Sequence, residues 1–145
     1  MSGAVAGRGA VSLPRTGGAR RQDILDGARI LVVEDEFLVA ALLEDVLRSF
    51  GCDVVGPAAT VEEALALLDT QEIDAAVLDV NIAGTPVFPV ADALTERDLP
   101  LVFATAYGAA GVAQRHSGRA VLDKPYHARA LEHALRSALQ TRRRP

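Results

Sequence analysis

The sequence predicts an α/β domain: a doubly wound parallel sheet of five strands in the order 2-1-3-4-5, with a short or weak fourth helix. Three observations predict it. Short apolar runs of strand length alternate along the chain with segments of helical apolar periodicity. Each run is apolar throughout rather than alternating, as a parallel strand buried on both faces requires. The pieces between the runs suit right-handed crossovers back to the same sheet.

Ile30–Val33 is the first run, and it ends in Glu34-Asp35-Glu36. Val39, Leu42, Leu43, Val46 and Phe50 follow at offsets 0, 3, 4, 7 and 11, which predicts one apolar helix face; Gly51 stops that helix. Val54–Val55 is the second strand. Thr60-Val-Glu-Glu63 reads as a capping box opening a helix through Leu68. Ala75–Leu78 is the third strand, and Asp79 follows directly. Gly84, Pro86 and Pro89 mark a loop and the start of a helix over Val90–Glu96. Pro100 leads into a fourth strand, Leu101–Ala104, with Thr105 at its end. Gly108, Gly111 and Gly118 allow at most a short, frayed helix over residues 108–119. Ala120–Leu122 is the fifth strand, followed by Asp123-Lys124-Pro125. Leu131, Leu135 and Leu139, at i, i+4 and i+8, define a closing helix.

The 145 residues, 50% of them hydrophobic, suffice for one packed domain and not for two. The expected division is a flexible tail over residues 1–26, a domain over 27–141 and a basic end at 142–145. One cysteine, Cys52, excludes an intrachain disulfide and a cysteine-based zinc site, and is expected to pack rather than react. The longest apolar run, Phe37–Leu43, has seven residues against the roughly 20 of a spanning helix, so no membrane crossing is expected. There is no signal-peptide core, and a cytoplasmic location is expected. His116, His127 and His133 show no metal spacing and are expected at the surface or on helices.

Charge is unevenly placed. Residues 1–22 carry four arginines and no acid, a faint likeness to a transit peptide, though a plain extension is expected. Residues 142–144 add three arginines. Between these ends stand eight bases and nineteen acids, a net charge of −11. Such a body is a poor nucleic-acid surface and a good home for a cation. Lys124 is the only lysine among fifteen basic residues, which asks what arginine could not do there.

In an open parallel sheet the C-terminal strand ends share one edge, where ligands bind at the switch in strand order. Glu34 and Asp35 end the first strand, Asp79 the third, Thr105 the fourth, and Lys124 follows the fifth. Three carboxylates beside one another repel unless protonated or joined by a hard cation such as Mg²⁺. Thr105 offers a hydroxyl and Lys124 a compact ammonium to a phosphoryl oxygen. The set reads as a phosphoryl-transfer site with a carboxylate nucleophile. Asp79, alone at the central strand's end, is the expected nucleophile, and the Glu34–Asp35 pair holds the metal.

These residues resemble a response-regulator receiver domain, the phosphoacceptor half of two-component signalling, over roughly residues 28–140. Ile-Leu-Val-Val-Glu34-Asp35-Glu36 is similar to that family's acid pair. Ala-Val-Leu-Asp79-Val-Asn81 resembles its phosphoacceptor strand, and Leu-Asp-Lys124-Pro125-Tyr its lysine–proline turn. The resemblance implies a flavodoxin-like fold and a phosphoryl group passed to Asp79 from a histidine kinase or histidine phosphotransfer protein. It implies Mg²⁺ on Asp35, Asp79 and the main-chain carbonyl of Asn81, with Glu34 acting through water. It implies phosphoryl oxygens on Thr105 and Lys124, and a cis Lys124–Pro125 peptide. Such a protein is no enzyme in the ordinary sense; it assists its own phosphorylation and dephosphorylation.

Phe103-Ala104-Thr105-Ala106-Tyr107, after Pro89-Val-Ala-Asp-Ala-Leu, is similar to the Phe-Ala-Thr-Gly-apolar-Tyr subgroup of stand-alone and stress receivers. Ala106 stands where that motif has glycine. Val121 stands where many receivers carry a ring that swings inward on activation. Thr105, Tyr107 and Val121 are therefore the expected switch positions, with Tyr107 as the moving ring and residues 106–118 reordering around it. With few residues after Leu139, a stand-alone receiver is expected.

A haloacid-dehalogenase-type phosphatase also uses aspartate, threonine, lysine and Mg²⁺, but its Asp-x-Asp lies on the first strand; here Asp79-Val-Asn81 is on the third. A flavin-phosphate binder would not place Glu34–Glu36 at its phosphate loop. No P-loop pattern exists. The alternative kept open is a receiver-like module acting mainly by binding, or a phosphate sink or relay.

Overall fold

The computed structural model describes residues 23–143. Residues 1–22 of the expected tail and the last two residues of the basic end lie outside that range. Five strands form one parallel sheet: β1 (Arg29–Val33), β2 (Asp53–Ala58), β3 (Ala75–Asp79), β6 (Leu101–Thr105) and β7 (Ala120–Asp123). Their spatial order is β2-β1-β3-β6-β7, the expected doubly wound topology. β4 (Asn81–Ile82) and β5 (Thr85–Pro86) are a small antiparallel hairpin apart from the main sheet. The helices are α1 (Phe37–Ser49), α2 (Val61–Thr70), α3 (Phe88–Glu96) and α4 (Ala128–Arg143).

Period-two alternation along the strands divides the core. Leu31, Val33, Ala76, Leu78, Leu101 and Phe103 point to the face covered by α2 and α3. Ile30, Val32, Ala75, Val77 and Val102 point to the face covered by α1 and α4, where Leu131 and Leu135 are fully buried. Leu25 is also fully buried there, and Asp23 pairs with Arg136 on α4 at 2.6 Å. Residues 23–26, expected in the tail, thus pack on the domain. Apolar burial and an ion pair draw them in.

Local chemistry explains most boundaries. The Thr60 hydroxyl accepts the Glu63 N–H at 3.1 Å, and the Glu63 carboxylate accepts the Ala59 N–H at 2.8 Å. That is the capping box, its return bond shifted by one residue. The β1–β2 register slips between Leu31 and Val33. Gly56 lies at this bulge with φ +99, and a Cβ there would lie 2.9 Å from the Val32 carbonyl oxygen. Only glycine fits.

The apolar face of α1 matches expectation only in part. Ala40, Leu43 and Leu47 face the core, while Leu42 is 67% exposed and Val39 and Val46 are half-buried. Of the expected face, Leu43 is in the core and Val46 and Phe50 pack against it, while Ala40 and Leu47 complete the buried stripe in place of Val39 and Leu42. Between β6 and β7 there is no α-helix, only two 3₁₀ turns at Ala109–Gly111 and Gln114–His116.

Candidate functional site

Glu34, Asp35, Asp79, Thr105 and Lys124 meet at the C-terminal edge of the sheet. Strand pairing places them: β1 and β3 are neighbours, and β3 pairs with β6 through Asp79 and Ala104. Thr105 closes β6 opposite Asp123 of β7, and its carbonyl accepts the Lys124 N–H at 2.8 Å. Lys124–Pro125 is cis, as the resemblance implied.

Carboxylate oxygens of Glu34, Asp35 and Asp79 lie within 4.8 Å of one another. The Lys124 ammonium donates to Glu34 Oε1 at 2.9 Å and to Asp79 Oδ2 at 3.0 Å. Glu34 is the buried member, 4% exposed, and its other oxygen accepts the Glu36 N–H at 3.1 Å. Burial pushes the Glu34 carboxyl above the usual range, against the pull of Lys124. Burial pulls Lys124 down, but its hydrogen bonds to Glu34 and Asp79 outweigh this and leave it above the ordinary lysine value. With one ammonium among three carboxylates, the ionised cluster keeps a formal charge of −2. An all-oxygen donor set with that residual charge fits a hard divalent cation.

The cluster opens into a cavity of about 610 Å³ whose walls include Asp35, Asp79, Asn81, Phe88, Thr105 and Lys124. The Asn81 N–H is 3.4 Å from Asp79 Oδ1. Thr105 is buried, and its hydroxyl oxygen accepts the Tyr107 N–H at 3.0 Å. Tyr107 itself is 78% exposed, while Val121 is half-buried against the α2–α3 side of the core. Asp35, Asp79, Thr105 and Lys124 therefore share one cavity wall, with Tyr107 at its rim, while Glu34 is buried and reaches the cluster through Lys124.

Three features were not anticipated. His116, expected at the surface or on a helix, is 4% exposed. It stacks on Phe88 with ring centroids 6.0 Å apart and bonds Asp92 Oδ1 at 2.8 Å. Its partner is 24 residues away, so no local pattern pointed to it. The Ala83 N–H donates to Asp35 Oδ2 at 3.2 Å; the Ala83-Gly84 pair before Thr85 was the available turn signal. Lastly, Val39, Leu42, Leu43, Val46, Pro125 and Tyr126 line an apolar groove that also touches Lys124. The unbroken apolar run Phe37–Leu43, too rich for one buried stripe, was its trace in the sequence.

Residues 30–136 match the response regulator receiver domain family, and the chain belongs to it. Such domains act in two-component signalling. The chain is similar to SdrG of Sphingomonas melonis Fr1, with 44% identity and a TM-score of 0.70, covering 79% of this chain and 97% of that one. A BeF₃-activated conformation of SdrG is also known, with 45% identity over 77% of this chain and a TM-score of 0.67. The receiver domain of Erythrobacter litoralis PhyR is 25% identical with a TM-score of 0.76, over 85% of this chain and 98% of that one. The probable transcriptional regulator ycf27 of Cyanophora paradoxa is 34% identical over 81% of this chain and 50% of its own length. The chain spans about half the length of the curated relatives it matches. Among the described residues no helix is long and apolar enough to cross a membrane.

Proposed function

We propose that Asp79 is the phosphoacceptor of a response regulator that signals by phosphorylation-dependent protein binding. The observation that carries this reading is the Glu34–Asp35–Asp79 cluster, with its oxygens within 4.8 Å and Lys124 on Asp79. An Asp79 carboxylate oxygen attacks the phosphorus of a phosphohistidine. The P–N bond breaks, and the imidazole leaves and takes up a proton. Asp35, Asp79 and the Asn81 carbonyl would hold Mg²⁺, with Glu34 supporting through water. The ion supplies charge neutralisation between the anionic nucleophile and the anionic phosphoryl group. Lys124 holds one phosphoryl oxygen, and Thr105 turns its hydroxyl toward another. The same residues assist hydrolysis, so the domain takes part in its own dephosphorylation.

The partner delivering the phosphoryl group is a histidine kinase or a histidine phosphotransfer protein, which places this chain in the cytoplasm. The apolar groove of Val39, Leu42, Val46, Pro125 and Tyr126 supports that reading, because its wall shares Lys124 with the acid cluster. Thr105 leaves the Tyr107 N–H when it turns, and residues 106–118 reorder around Tyr107. Tyr107 is then the ring that reports occupancy, since Val121 has none.

The test is labelling with acetyl phosphate or a phosphorylated kinase. The wild type should carry an acid-stable, alkali-labile phosphoryl group, lost completely in Asp79→Asn and in excess EDTA. Equal labelling of Asp79→Asn would overturn the assignment.

A further inference from the structure

Asp35 is the exposed member of the acid cluster, so water competes for its carboxylate and lets it sample several rotamers. Among the described residues one protein group opposes this, the Ala83 N–H at 3.2 Å from Oδ2. That N–H belongs to the tip of the β4–β5 hairpin. Ala83 has φ 51 and Gly84 φ 82, the paired left-handed residues of a type I′ turn. Alanine is a poor choice for this conformation, and such strain persists only where the surroundings over-determine it.

Here they do. Ile82, immediately before the tip, is 1% exposed in the core, and Val87 beyond it is fully buried. The Val87 N–H donates to the Val80 carbonyl at 2.9 Å, closing the loop at its base. Asn81 and Ile82 pair with Pro86 and Thr85. The hairpin is thus pinned at both ends, and its tip amide is fixed over Asp35 from 48 residues away in sequence. A carboxylate has about four lone-pair sites. Accepting this one N–H leaves sites for a cation and narrows the rotamers the cation must select from.

We propose that Ala83 is a positioning residue whose main-chain N–H holds the Asp35 carboxylate in the posture that takes up Mg²⁺, a proposal that rests on Asp35 being a metal ligand. Its test removes only the donor. The full chain is made with L-lactate at position 83, replacing the amide N–H by an ester oxygen at nearly unchanged shape. Mg²⁺ is titrated by calorimetry, with the Asp35 carboxyl carbon followed by NMR. The ester should bind Mg²⁺ about tenfold more weakly than the wild type, as loss of a hydrogen bond to a charged group implies. Ala83→Gly keeps the donor and relieves the strain, so it should bind within about twofold of the wild type. Ester and wild type binding Mg²⁺ equally would overturn the positioning role, as would a wild type that does not bind Mg²⁺. Acetyl phosphate labelling of Asp79 in the wild type separates the two readings. Labelling with unaltered Mg²⁺ affinity in the ester sinks the positioning role alone. Failure of labelling, with the tenfold weakening present, sinks the phosphoacceptor reading alone.

Discussion

Between β1 and β3 the sheet is buried on both faces and flanked by regular helices, whereas between β6 and β7 the chain crosses without an α-helix. Ile30–Val33 and Ala75–Leu78 are almost wholly inaccessible, and the β1–β2 bulge tolerates no side chain at Gly56. The β6–β7 crossover has two 3₁₀ turns and three glycines, and both ends of β7 are exposed. It is held from outside. Arg115 and His116 both bond Asp92 on α3, and Arg119 donates to the Thr95 hydroxyl at 2.8 Å. The three carboxylates sit on the tightly packed flank, while Thr105 ends one strand that bounds the loosely built one and Lys124 directly follows the other. On the proposed reading, chemistry is fixed on one flank and reported by the other.

Lys124→Ala attacks the junction and should have the largest effect. It leaves the buried Glu34 carboxylate without its ammonium, which should cost about 3 kcal/mol at neutral pH by urea unfolding. Because the folded-state carboxyl of Glu34 already titrates above its ordinary value, protonation relieves the mutant. The loss should be small in acid, below the ordinary glutamate range, and should grow as pH rises through the raised value. Beryllofluoride binding should fall at least a hundredfold. Lys124→Arg should keep the fold but fail to gain partner affinity with beryllofluoride, because a planar guanidinium replaces a compact ammonium. Wild-type gain in that variant would refute the role.

Gly56→Ala probes the packed flank. A Cβ 2.9 Å from both the Val32 carbonyl and the Ala58 nitrogen, at φ +99, should lower stability by about 2–3 kcal/mol. Asp92 probes the crossover. Hydrogen bonds from Arg115, and then from His116, pull its carboxyl down to about 2 from 3.8. The linked stabilisation is complete above the unfolded value and is lost as pH falls from about 4 toward 2. Amide exchange should therefore show residues 114–119 losing protection in that window before β1 and β3 do. Asp92→Asn should remove the pH dependence. Gly118→Ala should have the smallest effect. Nothing lies within 4 Å of its Cβ position, so a thermal shift should show a gain of up to about 0.5 kcal/mol. A loss comparable to that of Gly56→Ala would erase the contrast between the flanks.

What the sequence made legible follows the same division. Strands buried on both faces are apolar throughout, so β1, β3 and β6 and the polar residues at their ends were readable in order. The Thr60–Glu63 cap was readable because its chemistry is local. Helix α1 was legible only in part: Leu43, Val46 and Phe50 were read on the core side, but Leu42 and Val39 line the groove and Ala40 and Leu47 are buried in their place. His116 was invisible because its partners Asp92, Phe88 and Phe103 lie on other elements. Leu25 was missed because a single buried side chain has no period.

Cys52, the one thiol of the chain, lies among the apolar residues between β1 and the α1–α4 face. Burial first, then the nearby Asp23, pushes it up to about 11. A thiol reagent at neutral pH therefore meets almost no thiolate until that face opens. The rate at which an aromatic disulfide reagent consumes this sulfur is a clock for opening events, with no engineered tag. It sits far from the acid cluster, at the opposite end of the strands. Acceleration or slowing of that clock on beryllofluoride addition would measure, in seconds, how far the charge placed on Asp79 is felt through the domain.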